Sequence, residues 1–249
     1  MAIVDTSLFL SPYKVKRTYV PKCVSADGTA SYLSRAAFVG VSNGKVGTIS
    51  LWINSDVDAA AGRILSIDGD KLLLTKTAND NIQLIGKDAA TGLTTQLSIA
   101  SATDTIEKGD GWVHVLIAWD LTTLGAELST IYINGVASQT VTTAIGAVDM
   151  EYTGTSTLCS TNTPDTFFDG QLSEVYINLA EYVDFTVASN IALFRTTDGR
   201  PVSLGSTGST PTGTAPAVYL RRDGLNFHKN AGTAGDFTSN GTFANASPP

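Results

Sequence analysis

Residues able to do chemistry are sparse in this chain, and their spacing already narrows the options. Hydrolysis of a glycosidic bond needs an acid and a second carboxylate close together, which a β-strand supplies by setting acids two residues apart on one face. The densest acidic runs, Asp68-Gly-Asp70 and Glu107-Lys-Gly-Asp110, are interrupted by glycines that read as turns, and Glu174 stands alone on its strand. Nucleophilic catalysis finds no better foothold. His114 and His228 have no Gly-x-Ser-x-Gly turn near them, and His114 lies in a strand pattern where a packed, hydrogen-bonded imidazole is expected. Cys23 and Cys159 are too few and too far apart for a disulfide framework or a zinc site, so they read as isolated buried thiols. No catalytic residue and no cofactor emerges, and the chain is expected not to be an enzyme.

The elements that would position any site are β-strands. In Trp112-Val-His-Val-Leu-Ile-Ala-Trp119, residues 112, 114, 116 and 118 fall on one face and 113, 115, 117 and 119 on the other. Nearly every position is apolar, so this strand is expected to be buried on both sides. Asn134-Gly135 after Ile131-Tyr-Ile133 supplies the positive torsions of a tight hairpin. Similar alternation and turn signals predict strands near 30–34, 36–41, 46–54, 62–68, 70–76, 80–87, 94–100, 112–119, 129–134, 136–142, 148–153, 167–178 and 217–222. One short helix is predicted over 187–194, capped by Thr186. Trp52, Trp112 and Trp119 occupy strand positions and are assigned to the core. Tyr152, Phe167, Phe168 and Tyr182 lie near loops and are the candidates for a glycan or partner surface.

The 249 residues are 43% hydrophobic and only 16% charged, against roughly 25% charged in ordinary soluble proteins. Ser, Thr, Asn and Gly must therefore cover much of the surface, as in proteins that pack against neighbours or work outside the cell. A formal net charge of −7 gives no footprint for gripping phosphate backbones, so nucleic acid is excluded as a partner. The first residues place an acid where an export signal needs basic charge, and no stretch approaches the ~18 apolar residues of a membrane span, so neither export signal nor membrane partner is expected. Basic charge concentrates in Tyr13-Lys-Val-Lys-Arg-Thr-Tyr-Val20, where Tyr13, Lys14, Lys16, Arg17 and Tyr19 are the candidates for an assembly arm. The expected organisation is an N-terminal arm over 1–29, a β domain over 30–200, and over 201–249 a connector, a returning strand and a C-terminal tail.

Taken in order, Thr48-Ile-Ser-Leu-Trp-Ile53, Gly111-Trp-Val-His-Val-Leu-Ile-Ala-Trp-Asp120, Ile131-Tyr-Ile-Asn-Gly-Val136 and Phe168-Asp-Gly-Gln-Leu-Ser-Glu-Val-Tyr-Ile177 resemble the strands of the laminin-G-like branch of the concanavalin A-like lectin/glucanase superfamily. The resemblance covers roughly residues 30–200 and implies an all-β, two-sheet antiparallel jelly-roll sandwich. The glucanases of that superfamily carry a Glu-x-Asp-x-(x)-Glu string that this chain lacks. Laminin-G-like domains often bind one calcium ion at the sheet rim, for which Asp68, Asp70, Asp165 and Asp169 are the candidate oxygens, although none lies in a loop of alternating oxygen ligands.

The flanks, Tyr32-Leu-Ser-Arg35 and Pro216-Ala-Val-Tyr-Leu-Arg-Arg-Asp-Gly-Leu-Asn-Phe227, are similar to segments of laminin-G-like virion proteins of tailed bacteriophages. That similarity implies a non-enzymatic virion structural protein, a capsid decoration or a tail or fibre component. It would be a homo-oligomer among other virion proteins. The alternative, implied by the fold, is a carbohydrate-binding, lectin-like module that recognises host-surface glycans.

Overall fold

A computed structural model describes residues 19–249, apart from the side chains of Val141 and Thr142. In chain order its strands are β1 (Cys23–Asp27), β2 (Tyr32–Arg35), β3 (Val46–Ser55), β4 (Gly62–Ile67), β5 (Leu72–Lys76), β6 (Ile82–Lys87), β7 (Thr95–Ser101) and β8 (Val113–Asp120). Then follow β9 (Leu128–Ile133), β10 (Val136–Ala137), β11 (Gln139–Ala144), β12 (Ser156–Leu158), β13 (Asp169–Asn178), β14 (Val218–Leu220), β15 (Thr238–Asn240) and β16 (Ala244–Asn245). They form two eight-stranded antiparallel sheets. One runs β10-β9-β8-β3-β13-β1-β16 with β14 also paired to β13, and the other runs β11-β7-β6-β5-β4-β12-β2-β15.

The predicted double burial of β8 follows from this packing. Val113, Val115, Ile117 and Trp119 enter the main core between the sheets, with Leu65, Leu74, Leu84, Ile99 and Leu158 from the facing sheet. On the outer face, Leu116 and Ala118 join Tyr176 and Tyr219 beneath Val183, Phe185, Phe194 and Leu204 of the segment after β13. The first sheet is thus covered on both faces at its centre, where β8 has no solvent-facing side, while its edge strands β9, β10 and β16 keep exposed positions. His114 is fully buried on that outer face, stacked on Trp52 with ring centroids 4.5 Å apart. The expected hairpin is present, with Asn134 at φ +52° and Gly135 at φ +82° between β9 and β10.

Departures from the expected elements have local causes. The predicted strand 136–142 is two strands in different sheets, because Ser138 donates its N–H to Ile131 of one sheet and offers its carbonyl to Ala102 after β7 of the other. The segment 36–41 anchors Phe38 in the core but turns at Gly40, φ +72°, and forms no strand. The segment 148–153 shrinks to bridges from Met150 to Gly44 and Asp88. The helix is only α1 (Ala188–Ile191), and Thr186 does not cap it, since its hydroxyl donates to Asp184 at 2.6 Å instead. Within the expected arm, Cys23–Asp27 is a strand, and the expected tail adds β15 and β16, one to each sheet.

Candidate functional site

One irregularity in β13 organises the candidate site. Ser173 pairs with Trp52 of β3 and Tyr176 with Ser50, so three steps along β13 match two along β3. The extra residue makes a β-bulge, and Glu174, at φ +49°, occupies it. At the same place the other edge of β13 changes partner: β1 pairs with residues up to Ser173, and β14 pairs from Val175 onward. The two strands therefore end against each other beside Glu174. Lys22 immediately precedes one, and Arg221 and Arg222 immediately follow the other.

Glu174 is 2% exposed, and both its oxygens are engaged. The Tyr19 hydroxyl donates to Oε1 at 2.6 Å and the Tyr219 hydroxyl to Oε2 at 2.5 Å. Burial pushes this carboxyl above its ordinary range, partly offset by the two hydroxyls and the charge of Arg221. Burial, followed by the same carboxylate, drives both phenols well above the usual tyrosine range. Hydrogen bonds to a charged group contribute about 1.5–3 kcal/mol, so Tyr219→Phe should lower the unfolding free energy by that amount in denaturant titration. A variant as stable as the parent would remove Glu174 from the supports of this region.

Beside this buried cluster lies an open cavity of about 420 Å³ lined by Lys22, Ser206, Arg221, Arg222, Asp223 and Asn226, with Ala231 as its apolar wall. Arg221 is held in place: its Nη1 donates to the Gly205 carbonyl at 2.9 Å, and its guanidinium lies 5.7 Å from the centre of the Tyr219 ring. Asp223 accepts a hydrogen bond from Asn226 at 3.0 Å. Lys22 and Arg222 are exposed, and among the described residues neither side chain makes a hydrogen bond or ion pair.

Of the four residues expected at a glycan or partner surface, two are buried and two keep part of their surface exposed. Tyr152 is fully buried in the main core, where its hydroxyl accepts from Trp119 Nε1 at 2.9 Å, and Phe168 is fully buried in the same core. Phe167 is half-buried edge-on to Tyr32, and Tyr182 packs on the outer-face cluster. Loop position misled for Tyr152 and Phe168, because loops that close a sandwich turn large aromatics inward. Of the expected arm, Tyr13, Lys14, Lys16 and Arg17 lie outside the described residues, whereas Tyr19 is the partner of Glu174.

The candidate calcium oxygens are dispersed among other partners. Asp68 pairs with Lys71 at 2.7 Å, Asp70 pairs with Arg63 at 3.2 Å, and Asp165 accepts from the Thr161 hydroxyl at 2.6 Å. Burial, then the charges of Asp56 and Asp27, push the Asp169 carboxyl up. Among the described residues no three His, Cys, Asp or Glu side chains are placed to hold a metal ion. Cys23 and Cys159 are both buried and free, with the Cys159 thiol pushed up to about 12 by burial.

A family model described as the concanavalin A-like lectin/glucanases superfamily, laminin-G type, matches residues 27–180. No curated protein matches the chain in sequence. Among solved structures, the heptameric SAP-like pentraxin from Limulus polyphemus is similar at 14% identity and a TM-score of 0.57, over 91% of this chain and 95% of that one. A protein from Bacteroides ovatus ATCC 8483, provisionally described as carbohydrate-binding, is similar at 15% identity and a TM-score of 0.59. That likeness covers 93% of this chain and 62% of the other.

Proposed function

Since the chain belongs to the concanavalin A-like lectin/glucanase superfamily, in its laminin-G-like branch, we propose that it is a non-catalytic carbohydrate-binding module with its site in the cavity between β1 and β14. The observation that carries this reading is a contrast within a few residues. Glu174, the carboxylate on β13, is buried with both oxygens occupied by tyrosine hydroxyls, whereas the neighbouring cavity is open and lined by donors and acceptors. Such a lining recognises hydroxyl-rich ligands without a general acid. A cavity of this size falls in the ~300–1,000 Å³ range of small-ligand sites. The Bacteroides ovatus likeness, across most of this chain, supports the same reading.

A glycan array probed with the whole chain tests the proposal. Saturable binding to a defined subset of glycans, recovered uncleaved, is the expected result. Binding to none of them would overturn the binding half, and shortened products would overturn the non-catalytic half.

A place on a virion is a second and compatible proposal. It draws on the flanking motifs Tyr32–Arg35 and 216–227, which contribute β2 and β14 to the sheets. A lectin-like module displayed on a particle would serve host-surface recognition, in company with other virion proteins and further copies of itself.

A further inference from the structure

The geometry points to an acidic glycan, a sugar bearing a carboxylate or sulfate ester, as the ligand of the cavity between β1 and β14. This deepens the carbohydrate-binding reading and rests on it. Three cations, Lys22, Arg221 and Arg222, line the cavity against one carboxylate, Asp223, on a chain whose formal net charge is −7. The concentration of positive charge is therefore local. Arg221 is pre-positioned by the Gly205 carbonyl and the Tyr219 ring, so little side-chain freedom is lost when it meets an anion. Lys22 and Arg222 have no competing partner among the described residues, and an anionic group would supply one.

The remaining lining separates an acidic sugar from a phosphate. Carboxylate, sulfate ester and phosphate are all acceptors only, but a phosphate carries close to two negative charges, so Asp223 repels it more strongly than a singly charged carboxylate or sulfate ester. A sugar acid carries one negative charge together with hydroxyl groups that need acceptors. Asp223, the Asn226 carbonyl and the Ser206 hydroxyl supply those acceptors beside the cations.

The test uses the whole chain and four probes: a sialylated and a uronic-acid oligosaccharide, each as the free acid and as its carboxyl methyl ester, with a sulfated and a neutral oligosaccharide as further arms. Binding of at least one acidic form is expected, weakened by added salt and by esterification where the acid is a carboxylate. Arg222→Gln and Lys22→Gln, at exposed positions, should each weaken it roughly tenfold with unchanged thermal stability. Neutral and acidic sugars bound equally well by the parent and both variants would overturn this inference while leaving carbohydrate binding intact. Displacement of the sugar by inorganic phosphate or a phosphopeptide at equal concentration would overturn it in favour of a phosphate ligand. Failure of every sugar to bind would overturn it together with the reading beneath it.

Discussion

Trp119→Ala should be the most destabilising single truncation in the main core, at about 3–5 kcal/mol. In a chain of this size that is a fall in Tm of roughly 6–20 °C, readable by scanning calorimetry. The indole is fully buried and stands edge-on to Tyr152 at a centroid distance of 6.5 Å. Its Nε1 donates to the Tyr152 hydroxyl, which in turn reaches the Val46 carbonyl at 3.2 Å, so truncation leaves both a void and a weakened polar chain. Gly47 provides an internal check. A Cβ built there would lie 2.2 Å from the Trp119 ring, so Gly47→Ala alone should cost about 1–3 kcal/mol through overpacking. With the ring removed, that methyl has room. The double variant should therefore be more stable than the sum of the single losses allows, and strict additivity would refute the packing account.

Stability between pH 4.5 and 6.5 should be governed by two buried groups acting in opposite directions. Burial, then the charge of Arg195, lowers His114 from 6.5 to about 3. The ring is stacked on Trp52 and lies beside the Ser50 hydroxyl, and its backbone N–H donates to Asn134; among the described residues no carboxylate bonds to the ring to offset its burial. As pH falls below 6.5 the unfolded chain binds a proton that the native state refuses. His114 therefore costs about 1.4 kcal/mol per pH unit on acidification until its folded value is reached. Glu174 has its folded value raised above 4.5, so the native state keeps a proton that the unfolded chain releases. Its contribution is present at low pH and is lost as pH rises from 4.5 through the folded value. His114→Phe, which retains a ring against Trp52, should leave stability falling with rising pH in this window. Glu174→Gln should leave it rising. Denaturant midpoints measured across the window decide the matter, and profiles parallel to the parent in both variants would exclude these two groups.

What was legible in the sequence was what short-range periodicity encodes. The two faces of β8, the Asn134-Gly135 hairpin and the buried histidine all follow from residues within a few positions of one another. The split of 136–142 between two sheets depends on Ser138 reaching Ile131 and Ala102, and no local pattern announces it. The candidate site was the least legible part. Lys22 and Arg221 stand almost 200 residues apart in sequence, and only the change of partner along β13 brings them to one cavity. The Arg221-Arg222 doublet was visible as charge, but its companion was not. The bulge at Glu174 left no mark either, because a glutamate at positive φ is an unfavoured choice made tolerable by the hydrogen bonds its carboxylate receives.

The strand pairings also set the order in which this protein can be born. β1 finds its neighbours only at residues 169–173 and 244–245, and β2 only at 156–158 and 238–240. During vectorial synthesis at ~5–20 residues per second, these early strands must wait roughly ten to fifty seconds before their last partners emerge. Neither sheet can acquire its full complement of strands until residues 238–245 have emerged. Completion is a late, long-range event, the slow regime of non-local β topologies, and the edges of β1 and β2 are where an unfinished chain needs a chaperone most.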